Sequence, residues 1–275
     1  MTPGFGIATD VTEKAEQSAA LPSVCVLPTG TKGNAMYLSD GVCSILVDAG
    51  LSGKVIELRK RERGLAPDAL SAIVVSHEHS VHIRGVGVLS RRYRLPVYLA
   101  PGTLEAAPQV GRLHTTHRFT CGRDFSIGDI RIHPFSISHD AADPAGFTFQ
   151  MNGARIGVAT DLGIATAMVR EHLKECQLLV LEANHDPDML INGPYPWPLK
   201  QRIKGRTGHL SNQASRVLLE EIQHEKLAHV VLAHLSETNN TPDTAYKTVA
   251  PALTKCAPIL SVALQDRCGE LICLE

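Results

Sequence analysis

The stretch "AIVVSHEHSVHIRG", residues 72–85, places three histidines, His77, His79 and His82, within six positions directly behind an apolar run. "AIVV" reads as a short buried strand, so the histidines fall in the loop at its end, where side chains of a tight turn can converge on one point. Neutral imidazoles bind zinc, manganese or iron, and spacings of two and three residues can present ring nitrogens to one or two neighbouring ions. The plain alternative is a solvated, histidine-rich turn.

Three further residues occupy the same kind of position. His139 ends "IRIHPFSISH", Asp161 ends "RIGVATD" and His234 ends "AHVVLAH", each at the C-terminal edge of an apolar strand. Strand ends gathered on one edge of a sheet are where sites form. Taken singly, His139 or His234 could be a hydrogen-bonded rim histidine, and Asp161 could cap a helix starting near Leu162. Their repetition together with the first cluster favours a metal site.

Around these positions the chain reads as mixed α/β. Eleven β-type runs are expected at 23–27, 35–39, 43–48, 72–76, 96–100, 130–138, 146–151, 155–160, 178–184, 228–234 and 259–264. Helical spacing is clearest over 211–225, behind Ser211 as a cap, with further helices expected near 53–63, 85–93, 163–174 and 242–253. Early strands are joined by turns and later ones alternate with helices, which implies a layered α/β (α+β) fold rather than a pure doubly wound sheet. A polar tail over 1–20 and one domain over 21–275 are expected, since no linker divides the chain after residue 20.

Composition narrows the class further. Lys plus Arg total 27 against 28 Asp plus Glu, so no global basic field draws the chain to nucleic acid or lipid, and a polyanion would have to be held locally. Seven scattered cysteines without a CxxC read as reduced thiols, and no apolar run suits a membrane span or a secretion signal, so the expected location is cytoplasmic, with no membrane partner.

At this level the sequence resembles the metallo-β-lactamase superfamily, whose HxHxDH signature is matched by "HEHSVH" with valine in the aspartate place. Within it the chain is most similar to the YycJ/WalJ-type branch of metal-dependent phosphodiesterases and exonucleases. The stretches that carry this are "SISHDAADPAGF", "ATDLG", "EANHDPDMLINGPYPWPLKQRIKGRTGHLSN" and "LAHLSETNNTP". The resemblance implies a four-layer αββα sandwich with two divalent ions, zinc or manganese with iron as a further option. His77, His79 and His139 would hold the first, His82 and His234 the second, and Asp161 would bridge them. Asp48, ending "CSILVD", would support the histidine loop from behind.

Val81 offers only methyl groups where the family has a carboxylate, so the second ion should bind more weakly. Glu78 or Asp140 could compensate. With both ions in place, the resemblance implies phosphodiester hydrolysis by metal-activated hydroxide. His209 and His185 would lie beside the metals and bind phosphate or protonate the leaving oxygen; each could instead only pack or order a turn. Lys200, Arg202, Lys204 and Arg206 beside Trp197 suit a nucleic-acid backbone and a stacked base, with Asn184 a further substrate contact, although a solvated face with Trp197 in the core fits the same residues. "RRYR" at 91–94 is a second, equally ambiguous basic patch. The expected partner is nucleic acid, DNA attacked from an end; a small-molecule phosphodiesterase and an impaired, metal-dependent nucleic-acid-binding protein are the competing readings.

Overall fold

The β-branched and aliphatic runs of the sequence become short strands because each can bury one or both faces. In a computed structural model, which describes residues 21–274, these strands form two seven-stranded sheets. The first runs β14 (Ile272–Cys273), β1 (Ser23–Val26), β2 (Met36–Ser39), β3 (Ser44–Val47), β4 (Ala72–Val74), β5 (Pro96–Leu99), β6 (Thr115–Arg118). The second runs β13 (Ile259–Val262), β12 (His229–Ala233), β11 (Leu178–Glu182), β10 (Ala154–Ala159), β9 (Ala145–Met151), β8 (Ile130–Ser136), β7 (Phe125–Ile127). All eleven expected strands are present. The three additional ones, β6, β7 and β14, are edge strands of two to four residues, too short or too polar for periodicity to reveal.

The sheets pack face to face over a core that includes Val24, Leu38, Ile45, Ile132, Phe147, Phe149 and Ile156. The outer face of the first sheet is covered by α1 (Gly53–Glu62) and α3 (Val86–Tyr93), through Ile56, Val86 and Leu89. The outer face of the second is covered by α5 (Ala167–Leu173), α8 (Asn212–Ile222) and α9 (Pro242–Val249), through Val169, Leu173, Leu218, Leu219 and Val249. The result is the expected αββα sandwich. The expected tail over 1–20 lies outside the described residues.

One helix begins later than its sequence pattern suggests. The pattern places it from 163, but α5 starts at Ala167, capped by Thr166 Oγ1, which accepts from Val169 N. The backbone just before it is committed elsewhere: Leu162 N donates to Glu182 Oε2 and Gly163 N to Ser138 O, at 2.7 and 2.8 Å. Asp161 is thereby freed from capping.

Strands β3–β6 are mutually parallel, as are β10–β13, and this brings the ends of β3, β4, β10, β11 and β12 to one rim of the sandwich. Four more helices, α2 (Ser80–Ile83), α4 (Pro101–Ala106), α6 (Pro187–Asn192) and α7 (Trp197–Ile203), lie in the connections.

Candidate metal centre

Three strands deliver site residues by the same backbone device. Asp48 after β3, Asp161 after β10 and His234 after β12 have φ of 59°, 57° and 57°. This left-handed conformation costs a non-glycine residue of order 1–3 kcal/mol and persists only where the surroundings impose it. It turns each side chain off the strand line toward the rim. The histidine loop is held from below by Ala49 N donating to His82 O and Gly85 N to Ala49 O, at 2.7 and 2.6 Å. Gly50 allows this approach, because a Cβ there would lie 1.6 Å from Val81 O.

His77, His79 and His139 form the first set. His77 Nε2 lies 3.1 Å from His79 Nδ1, which lies 3.3 Å from His139 Nε2. His139 Nδ1–H donates to Gly208 O at 3.1 Å, which leaves Nε2 with a free lone pair aimed at the cluster. Burial holds both His77 and His139 below the ordinary imidazole range, with His82 adding to the effect on His77. Three ring nitrogens crowd one point, an arrangement that suits a divalent cation.

Asp161 lies between His82 and His234, its ligand atoms grouping with His77 and His82 on one side and with Glu182, His209 and His234 on the other. His82 Nδ1 donates to Asp48 Oδ2 at 2.7 Å, and its Nε2 lies 3.2 Å from Asp161 Oδ2. Asp48 is fully engaged, since Ser76 N and Ser76 Oγ also donate to it, each at 2.8 Å. Burial lowers the His82 pKa, but Asp161 and Asp48 outweigh this and push it up to about 10. Asp161 Oδ2 is buried with only the ion-pair contact to His82 Nε2 and no well-formed hydrogen bond, which leaves lone-pair capacity for a cation. Burial raises the Asp161 pKa and the nearby His234 and His82 more than reverse this, holding it well below the usual carboxylate range.

Glu182, the last residue of β11, anchors the far side of the centre and is completely buried. Its Oε1 accepts from His234 Nδ1 at 2.7 Å and His209 Nδ1 at 2.8 Å, and its Oε2 accepts from Leu162 N and Leu210 N at 2.7 and 3.0 Å. His234 therefore keeps Nε2 for a metal and His209 keeps Nε2 for the cleft. Burial opposes it, yet Glu182 raises the His209 pKa to about 9, so this ring is protonated near neutral pH. Burial opposes this too, yet His209 and His234 outweigh it and lower Glu182 to about 2. Sequence reasoning missed Glu182; the available signal was a carboxylate closing the otherwise apolar run "LLVLE".

An open cleft of about 250 Å³ sits over the first set, lined by His79, His139, Asp140, Asn184, Arg202 and His209. Arg202 Nε donates to Asp140 Oδ2 at 2.6 Å across its mouth, and Asp140 Oδ1 lies 3.5 Å from His139 Nε2. Glu78 is turned away, its Oε1 accepting from Ala142 N at 2.8 Å. Val81 is half-buried on α2, and its carbonyl accepts from Asn34 N at 2.7 Å.

Other expected contacts are not brought to the cleft. Lys200 is buried, and its Nζ donates to Ile191 O at 2.6 Å and Gly193 O at 2.7 Å, so it fastens α7 to the preceding loop. Burial lowers His185 to about 4, leaving it neutral, and it stands outside the cleft lining. Trp197 is 56% exposed, with Lys204 Nζ 5.6 Å from its ring centre, which excludes a core role. In the 91–94 patch, Arg91 donates to Arg112 O and Arg92 pairs with Glu57, so both are structural.

A two-sheet sandwich with histidine and carboxylate clusters on one rim defines a metal-binding hydrolase fold, and the chain belongs to the β-lactamase superfamily: residues 44–235 match the model of the beta-lactamase superfamily domain. Among its relatives, the exodeoxyribonuclease YycJ of Bacillus anthracis is 37% identical over 231 residues, covering 83% of this chain and 88% of that protein. The exodeoxyribonuclease WalJ of Streptococcus pneumoniae D39 is 35% identical over 235 residues, 84% and 87% of the two chains. The fold also matches the crystal structure of the metallo-β-lactamase fold protein YhfI from Bacillus subtilis, with a TM-score of 0.70 at 18% identity over 90% of this chain and 99% of that one. No helix among the described residues is long and apolar enough to cross a membrane.

Proposed function

We propose that the protein hydrolyses phosphodiester bonds of DNA, working from a strand end, with residues 21–275 acting as one unit in the cytoplasm. It is a metal-dependent hydrolase of the nuclease type. The observation that carries this reading is the convergence of histidine and carboxylate ligand atoms on one rim, with His209, held by Glu182, lining the cleft beside them.

His77, His79 and His139 suit a first divalent ion; His82, His234 and Asp161 suit a second, and zinc or manganese fits the imidazole-rich donors, with iron acceptable. When bound, such ions supply an activated water and neutralise charge on phosphoryl oxygens. The chain supplies the rest. His209 Nε2 delivers a proton to the departing oxygen, and Glu182 both orients the ring and keeps it charged, a role worth roughly 10²- to 10⁴-fold in rate. Arg202 is placed to take a non-bridging phosphate oxygen by releasing Asp140, and Asn184 fixes the His234 loop through its Nδ2 donating to His234 O at 2.8 Å. The cleft, at about 250 Å³, is smaller than most small-molecule sites, roughly 300–1,000 Å³, so it suits the end of a chain whose remainder lies outside.

The relatives' names, exodeoxyribonuclease in both cases, support DNA over a small diester. Val81 sustains one competing reading, a protein that binds DNA with impaired turnover. End-labelled DNA incubated with the manganese- or zinc-loaded protein tests both: progressive loss of terminal nucleotides is the expected result. Binding without cleavage at any metal concentration would favour the impaired reading, and cleavage of simple diesters alone would remove DNA as substrate.

A further inference from the structure

The chain is close to neutral overall, yet from Ala106 to Arg123 it contains no acidic residue, while Arg112, His114, His117, Arg118 and Arg123 all fall there. This segment contains β6, the open edge of the first sheet, and every residue of Thr115–Arg118 is exposed. Its backbone is firmly held: Arg112 O accepts from Arg91 Nη1 at 2.7 Å, and His114 N donates to Ser90 Oγ at 3.0 Å. Among the described residues, Arg112, Arg118 and Arg123 make no ion pair with a carboxylate, as is also true of Arg61, Arg84, Arg91, Arg94, Arg155 and Arg206, but only here do three such arginines fall in one stretch free of acidic residues along a sheet edge. The ring of His117 stacks on Tyr98 at 4.7 Å and 16°, so one of its faces is braced. Charge on an edge strand commonly serves only to prevent edge-to-edge pairing. Charges of a single sign, unpaired, on an anchored backbone and beside a braced ring go further than that need.

We propose that this edge is a track for the DNA strand leading away from the cleavage site, with Arg112, Arg118 and Arg123 on phosphates and His117 beneath a base. The proposal rests on the DNA reading above. β6 lies two strand spacings, roughly 10 Å, from β4, whose end carries His77, so the track is within a few nucleotides of the centre. Arg118 ends the strand, with Arg112 before it and Arg123 after it, and arginine with a stacking ring is the chemistry that holds a single strand without reading its sequence.

The test compares the metal-loaded wild type with a triple variant, Arg112→Gln, Arg118→Gln and Arg123→Gln, on a dinucleotide and on a long single-stranded oligonucleotide. A second triple variant, with lysine at the same positions, keeps the charge. Each lost phosphate contact lowers the salt slope of binding by about 0.7 to 0.9. Over a fourfold rise in salt the glutamine variant should therefore lose roughly 20- to 40-fold less affinity for the long strand than the wild type does. Its KM for the oligonucleotide should rise and its dinucleotide turnover stay unchanged, and the lysine variant should restore the slope. An unchanged slope and KM in a wild type that cleaves DNA would overturn the track alone. So would a glutamine variant altered only in sedimentation, which would assign the edge to pairing with a second copy. A wild type that neither binds nor cleaves DNA would overturn the functional reading, and the track with it.

Discussion

The two candidate ligand sets at the rim both rest on histidines, three in the first and two with Asp161 in the second, and differ in what holds them. His77, His79 and His139 bring ring nitrogens together beneath an open cleft, and burial holds His77 and His139 below the ordinary imidazole range. His82 lies between two carboxylates that keep it protonated, and beside it Val81 stands where an acidic side chain would add negative charge. A cation entering the first set meets free donors, whereas one entering the second must displace a proton and does so with one carboxylate, Asp161, to receive it. Similar histidine geometry thus gives unequal sites, and the inequality is set by the charges behind the rings.

The largest disturbance should come from the residue serving both functions on the far side. Glu182→Gln puts an amide where four donors converge, so we expect turnover to fall by about 10²- to 10⁴-fold and stability by about 3–5 kcal/mol, read by single-turnover kinetics and denaturant unfolding. Unchanged turnover would remove His209 as the acid. Asp48→Asn acts on the second set alone: its ion should bind about 10- to 100-fold more weakly while the first is unaffected, measured by competitive chelation. Equal weakening at both would mean that Asp48 supports the loop as a whole.

The smallest effect on the comparison should come from Lys60, which is buried on α1 without a hydrogen bond at Nζ, 5.1 Å from the Tyr37 ring centre. Burial lowers its pKa to about 8, below its value in the unfolded chain. The unfolded state then binds more protons than the folded state between about pH 8 and 10, so stability rises with pH across that window. Lys60→Met should abolish that rise and stabilise the protein by about 1–3 kcal/mol at pH 7, seen as a higher thermal midpoint, with metal content unchanged. A lower midpoint would show that the lysine is compensated.

Much of the site was legible because its ligands sit at strand ends, where apolar runs stop at a polar residue: His77, His139, Asp161 and His234 all carry that mark. Glu182 carries it too, but one carboxylate after one strand is indistinguishable from a turn residue until two histidines are seen to share it. Lys200 and Arg202 illustrate the opposite limit. Two residues apart on α7, they read as equivalent basic groups, yet one faces the loop behind the helix and the other the cleft. Helical phase relative to a neighbour is a tertiary property. Edge strands escaped for a related reason, since β6 has no buried face to impose an alternating pattern.

The inequality of the two sets is tested most directly by elemental analysis of bound metal as free manganese or zinc is raised, in the native chain and in Val81→Asp. The account predicts one tightly held ion per native chain, a second that fills only at higher concentration, and two tightly held ions in the variant. Two equally tight ions in the native chain, or a variant that binds no better than the native protein, would contradict it.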